Sequence, residues 1–318
     1  MSSTIDLDRR AFLSRALALA AGLWRPDLLL AAASDDPGNF RAVYLDPKRR
    51  EEFYPFLQNV FHLYPEKKLQ ALILAAAKKG ATDRDIYEAL LRDIPSVKTP
   101  LSEATYMLPS LKTQKAEMTR QALSFLGTTR RVDGYLEIGT TGRYVSELKK
   151  HVEIAGPVYL INDVAPSYKI GDMAERGEIA KIGAFFPMGD YDPVGADKIP
   201  DASLDLVVNL IGFHHSPKAH LEGFVRSIHR VLKPGGRLLL RDHDVDSPRQ
   251  DTLVALAHDV FNAGLFFPWK YNHEQVRLFR SLRDWSDYLK AAGFTRSERA
   301  LAQDGDPTKN LMVEFAKA

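Results

Sequence analysis

The apolar positions divide the chain into two unlike parts. Up to about Arg130 they recur at helical spacing: Leu69, Leu72, Ile73 and Ala76 fall at i, i+3, i+4 and i+7 and share one helix face. Gly80 stops that helix. Thr82, with Asp85 three residues on, opens the next in a form close to a capping box. Pro95, Pro100 and Pro109 punctuate the chain beyond it, and no chemical motif appears. This segment reads as a helical cap beside a site built elsewhere, or as plain structural support. From Val132 the pattern changes to short runs rich in Val, Ile, Leu and Tyr: Tyr135–Ile138, Val158–Asp163, a weaker run at Ala184–Met188, Leu204–Leu210 and Arg237–His243. Helical stretches separate most of them, which predicts a parallel sheet with right-handed crossovers. The end differs. The helix DWSDYLKAAGF stops at Gly293, and TRSERALA and LMVEFAKA flank the turn QDGDPTKN as two antiparallel strands.

Composition adds mostly exclusions. The chain has 318 residues, 45% hydrophobic and 26% charged, enough for a full core and one large domain with an extension. Its 43 basic and 41 acidic residues give a net charge of +2, which implies no nucleic-acid or membrane-surface partner. With no cysteine, disulfides, thiolate metal sites and cysteine nucleophiles are excluded. In DRRAFLSRALALAAGLW, Arg9 and Arg10 precede an Ala/Leu-rich run, and LLLAAAS offers small residues for cleavage. The stretch resembles a bacterial twin-arginine export signal; Arg15, Arg25, Pro26 and Asp27 interrupt it, so a helix packed on the body is the alternative. The first reading implies the periplasm and the second the cytoplasm, and the run is too short and interrupted for a stable membrane span. The expected organisation is residues 1–34 as signal or helix, 35–130 as helical cap and 131–318 as an α/β domain.

The chemistry begins at YLEIGTTGRY, a strand ending in Glu137, then a turn with Gly139 and Gly142. Such a turn lets backbone approach a ligand at the carboxyl end of a sheet. Val158–Asp163 then ends in an acid about 20 residues past the turn, a spacing that suits ribose hydroxyls. MGDYDP places Asp190 and Tyr191 at the third strand end, LDLVVNLIGFHH runs the fourth strand into His214 and His215, and RVLKPGGRLLLRDHD gives a helix, a turn and a fifth strand.

In this order and spacing, LEIGTTGRY, INDVAPSY, GDYDPV, LDLVVNLIGFHH, RVLKPGGRLLL and DWSDYLKAAGF resemble a class I S-adenosylmethionine-dependent methyltransferase, of the small-molecule, type 11-like kind. The resemblance covers about Val132 to Ala318. It implies a doubly wound, mostly parallel Rossmann-like sheet with an antiparallel last strand, and S-adenosylmethionine as cofactor. By the same resemblance Glu137 meets the methionine amino group, with Gly139, Thr140, Thr141 and Gly142 as the wrapping loop. Asp163 takes the ribose hydroxyls, Asp190 accepts the adenine amino group, Tyr191 lies against the ring, and Asn209 with Leu210 shapes the wall beneath the sulfonium. The loop departs from the family's acid-x-Gly-x-Gly-x-Gly: it lacks the middle glycine and is one residue shorter. Stiff Thr140 or Thr141 must then tolerate the tight turn, or the loop takes another path.

Methyl transfer to an unidentified small-molecule acceptor is the function implied. Neighbouring fourth and fifth strands bring His214 and His215 near Arg241, Asp242, His243, Asp244 and Asp246. His243 and His215 are the base candidates, with Asp242 the third catalytic candidate. The same imidazoles and carboxylates suit a divalent metal, though no ligand set is assigned. Two rivals stand: a binding protein that kept the fold and lost the cofactor, and a metal-dependent enzyme on the same fold. Phe266, Phe267, Trp269 and Tyr271 can roof an apolar acceptor or fill a core, and Arg277, Arg280 and Arg283 can share a helix face. His258 and the other histidines lack an informative setting.

Overall fold

The computed structural model describes residues 38–98, 105–106 and 108–318; the twin-arginine stretch lies outside the described residues. Among the described residues five helices come first: α1 (Gly38–Tyr44), α2 (Pro47–Pro55), α3 (Glu66–Lys79), α4 (Asp83–Val97) and α5 (Leu108–Leu126), with a π-helical turn at Phe56–Phe61. Local chemistry sets their ends. Asp46 accepts from Lys48 N at 2.8 Å and Arg49 N at 3.3 Å ahead of Pro47. Thr82 accepts from Asp85 N at 3.2 Å while Asp85 accepts from Thr82 N at 3.0 Å, a reciprocal box. The expected face of α3 buries Leu69, Ile73 and Ala76, with Leu72 half-buried.

The second part runs β1 (Arg131–Ile138), α6 (Val145–Leu148), β2 (Glu153–Asn162), α7 (Ile170–Arg176), β3 (Ala184–Pro187), β4 (Leu204–Asn209), α8 (Lys218–Val231), β5 (Leu232–His243), α9 (Pro248–Gly264), α10 (Trp269–Glu274), α11 (Leu282–Ala291), β6 (Phe294–Ala302) and β7 (Asn310–Lys317). The seven strands lie in the order β3-β2-β1-β4-β5-β7-β6. All pairs are parallel except β5–β7 and β6–β7, as the sequence pattern predicts. Tyr135, Leu136 and Ile138 of β1 are wholly buried, because helices cover both faces of a parallel sheet. Leu204 pairs with Leu232 but Leu206 pairs with Arg237, so the Lys233–Gly236 stretch bulges out as the expected turn. Register sets Ile138 beside both Ile161 and Asn209, and Asn209 beside Leu240, which brings the carboxyl ends of β1, β2, β4 and β5 to one edge.

Helix α9 joins the two parts. Its Leu253, Leu256, Val260 and Ala263 enter the same apolar core as Phe61, Tyr64 and Tyr87 of the N-terminal part. Tyr64 donates to Gly264 O at 2.7 Å across that seam. Phe266, Phe267 and Trp269 pack on this core, and the Tyr87 and Trp269 rings meet edge-on at 5.4 Å. Phe266, Phe267 and Trp269, considered as a roof, therefore fill the cap core, and Tyr271 stacks on Phe267 at 4.4 Å. Arg277, Arg280 and Arg283 do not share a helix, since α11 begins only at Leu282: Arg277 pairs with Asp259 at 2.8 Å and Arg280 lies over the Trp285 ring at 4.9 Å.

Candidate functional site

The turn after β1 takes a form in which the shortened loop carries no threonine strain. Gly139 and Gly142 hold the positive dihedrals, φ 89° and 101°, and neither Thr140 nor Thr141 is among the described residues with positive φ. Thr140 staples the turn: its hydroxyl accepts from Gly142 N at 3.2 Å and Arg143 N at 3.1 Å and donates to Glu137. Glu137 is fully buried. Besides Thr140, its carboxylate accepts from the Tyr135 hydroxyl at 2.9 Å, Tyr144 N at 3.1 Å and Val145 N at 2.7 Å. It thus caps α6 from below, which corrects the expectation that it meets a ligand amino group. Beside it, Arg143 donates to Glu175 at 2.6 and 3.0 Å, both side chains buried. Burial works against the Arg143 charge, but Glu175 outweighs it and holds the guanidinium protonated.

Two further expectations are corrected here. Tyr191 is buried and meets the Phe224 ring edge-on at 5.2 Å inside the sheet core, so its face is not offered to a ligand. Asn209, also buried, accepts from Ile211 N at 3.3 Å and donates to Gly212 O at 3.3 Å, bracing the turn after β4 rather than walling a pocket. Asp163 and Asp190 do stand at successive strand ends. Among the described residues neither carboxylate has a hydrogen-bond partner, and burial together with the Asp190 charge raises the Asp163 pKa. The buried Thr141 hydroxyl also lacks a partner.

Against this turn lies a cavity of about 150 Å³. Gly139 and Thr140 form one wall, Phe56, Val60 and Phe261 an apolar one, and His214, His215, His243 and His258 gather in it. Each histidine is oriented through Nδ1. His214 Nδ1 lies 2.6 Å from Asp242 Oδ1, His215 Nδ1 3.0 Å from Val276 O, His243 Nδ1 3.0 Å from Thr308 O, and His258 Nδ1 2.9 Å from Val254 O. A carbonyl only accepts, so His215, His243 and His258 carry their proton on Nδ1 and present Nε2 as a lone pair. Asp242 accepts from Phe213 N at 2.7 Å and His243 N at 2.8 Å as well, so it acts as a positioning residue with its carboxyl lifted by burial to about 6. Burial keeps the imidazoles neutral, with His214 lowered to about 3 and His243 to about 4.

The sequence reading thus placed His214, His215, Asp242 and His243 together and missed His258. That residue is a lone histidine on α9, and only docking of that helix against the cap brings it 3.2 Å from His214, Nε2 to Nε2. No spacing in the sequence signals it. Asp244 and Asp246 lie outside the cavity, Asp244 accepting from Leu282 N at 2.7 Å and Asp246 pairing with Lys309 at 3.2 Å.

The methyltransferase domain family matches residues 136–240. That stretch holds the Glu137 turn, Asp163, Asp190 and the β4 and β5 strand ends. This stretch is similar to a methyltransferase domain. The domain is 32% identical, over 137 residues, to the ubiquinone/menaquinone biosynthesis C-methyltransferase of Bartonella tribocorum, covering 40% of this chain and 52% of that protein. It is 29% identical over 140 residues to the mitochondrial 2-methoxy-6-polyprenyl-1,4-benzoquinol methylase of Bos taurus, covering 40% of each. The chain therefore spans about half the length, or less, of these curated relatives. A family 2 O-methyltransferase protein from Planctomyces limnophilus in complex with apigenin covers 99% of this chain and 95% of its own, at 14% identity and a TM-score of 0.47.

The residues present fit S-adenosylmethionine, the cofactor that the sequence resemblance implies. The orphaned Thr141 hydroxyl and the unpartnered Asp163 carboxylate are the groups a nucleoside and its methionine arm would satisfy. A Cβ built on Gly139 would come within 2.4 Å of Ile211 Cδ1, so Ile211 is the side chain with which a ligand must share that glycine. Among the described residues no helix is long and apolar enough to cross a membrane.

Proposed function

We propose that the protein transfers the methyl group of S-adenosylmethionine to a compact hydroxylated acceptor seated in the histidine-lined cavity. The observation that carries this reading is the shared wall: Gly139 and Thr140 of the cofactor turn line the same cavity as four imidazoles. The cofactor, when bound, supplies an electrophilic methyl group. Asp163 would hold the ribose hydroxyls and Thr141 the methionine arm, with Asp190 toward the base. On the acceptor side, the free Nε2 lone pairs of His215 and His243 are placed to take a proton from a hydroxyl, and Phe56, Val60 and Phe261 exclude water. The cavity, about 150 Å³, is small beside the roughly 300–1,000 Å³ of ordinary ligand pockets, which favours a small acceptor. An aromatic hydroxyl compound is the first class to try, in keeping with the benzoquinol in the names of the relatives.

Calorimetric titration with S-adenosylmethionine and S-adenosylhomocysteine tests the reading. Both should bind, and Asp163→Ala should weaken both without lowering the thermal midpoint below that of the parent. No heat from either ligand in well-folded protein overturns the proposal in favour of a binding protein without the cofactor. Normal affinity in Asp163→Ala overturns the placement of the ribose.

A further inference from the structure

We infer that His214, His243 and His258 form a binding site for one first-row divalent transition-metal ion, with an open position facing the cavity. One ring nitrogen from each lies within 4.8 Å of the other two. The closest pair, His214 Nε2 and His258 Nε2, stands at 3.2 Å. A tetrahedral ion with metal–nitrogen bonds of about 2.0–2.1 Å sets its ligand atoms about 3.3–3.4 Å apart, so this pair already spans one edge of such a polyhedron.

Proton positions strengthen the geometry. His258 and His243 give their Nδ1 protons to backbone carbonyls, and His214 Nδ1 faces a carboxylate that is itself fixed by two backbone N–H groups. That leaves Nε2 as the inward atom on all three rings. Nε2 of His214 and Nε2 of His258 face one another across 3.2 Å, so a cation between them meets both. Each ring is also held by an outer partner, one carboxylate and two carbonyls, the arrangement that orients metal-ligating imidazoles.

The donor set narrows the ion. Three neutral imidazoles suit Zn²⁺, Cu²⁺, Ni²⁺ or Fe²⁺ and are poor ligands for Mg²⁺ or Ca²⁺. Three protein ligands leave a fourth position, and the cavity is where it opens. An oxygen of a small molecule would take that position. His215, whose ring centroid is 4.1 Å from that of His214, is outside the triad, so with the ion bound it alone stays available to accept a proton and His243 serves as a base only in the metal-free protein. The site does not depend on methyl transfer, because none of its ligands belongs to the cofactor turn.

Metal binding is read directly. The full chain, stripped with a chelator and dialysed, is titrated with ZnCl₂ by calorimetry and with CoCl₂ by visible absorption. The expected result is one ion per chain, with ligand-field bands of nitrogen-bound cobalt that Zn²⁺ abolishes. His258→Ala and His243→Ala should each weaken Zn²⁺ by more than the roughly 10–100-fold expected for Asp242→Asn, which removes only an outer partner. The exposed His151→Ala should leave the affinity unchanged. If the triad variants misfold, the cobalt spectrum of the parent decides. Sub-stoichiometric metal and no cobalt bands in folded parent would overturn the site and leave a proton shared between His214 and His258. So would metal affinity that survives both His258→Ala and His243→Ala. None of these outcomes depends on S-adenosylmethionine binding, so this proposal and that of methyl transfer fail separately.

Discussion

Replacing Glu137 by Gln separates the two roles this acid can play. In the structure each carboxylate oxygen accepts two bonds, Oε1 from the Thr140 hydroxyl and Tyr144 N, and Oε2 from the Tyr135 hydroxyl and Val145 N. A glutamine keeps one oxygen and turns the other into an NH₂ donor. The hydroxyl on that side can rotate, but the backbone N–H of Tyr144 or Val145 cannot. One buried backbone donor is then unsatisfied and faces another donor, while the remaining bonds lose their charge assistance. An orphaned buried donor costs about 1–3 kcal/mol and each lost charge assistance about 1 kcal/mol. Losing the buried charge removes a desolvation cost that offsets part of this, so about 2–4 kcal/mol net is expected. For a chain of this size, with an unfolding entropy of about 2.1 cal/mol/K per residue, that lowers the thermal midpoint by roughly 3–6 °C. Glu137→Gln is to be compared with the parent by thermal unfolding without cofactor, followed by a cofactor titration at a temperature where both are folded. A midpoint within about 1 °C of the parent, with cofactor affinity lost, would refute the reasoning. The acid would then face the ligand and not the α6 turn.

Two other substitutions probe the same end of the sheet. Glu175→Gln leaves the buried Arg143 charge without its counterion and should cost about 3–5 kcal/mol, whereas Arg143→Met with Glu175→Leu should recover most of it; urea unfolding checks this, and a double variant as unstable as the single one counts against it. Asp163, its pKa raised by burial and by Asp190, binds its proton more tightly folded than unfolded. Its penalty is therefore largest above the raised value and fades as pH falls towards the ordinary carboxylate value of about 4. Asp163→Asn should accordingly raise the thermal midpoint of the cofactor-free protein at pH 7 and not near pH 4, as scans across that range will show; an equal gain at both ends would contradict the sign.

What the sequence determined by itself is whatever depends on neighbours along the chain. The strands of the parallel sheet were legible because burial on both faces leaves runs such as LDLVVN unbroken by charge beyond Asp205. The Thr82–Asp85 box was legible because its partners are three residues apart. The resemblance to methyltransferases rested on such local units in order. Tertiary structure decided which polar groups each side chain meets. Glu137 looked like a ligand-facing acid, but closure of the Gly139–Gly142 turn folds the N–H groups of Tyr144 and Val145 back onto it. Two threonines looked strained, yet the flanking glycines absorb both positive dihedrals. The histidine cluster needed the whole fold. Its strand-end members arrive through β4 and β5, His258 through the docking of α9 on the cap, and three of the four rings are anchored to backbone carbonyls. Every residue carries such a carbonyl, so no choice of amino acid records that contact, and only the folded path of the chain can create it.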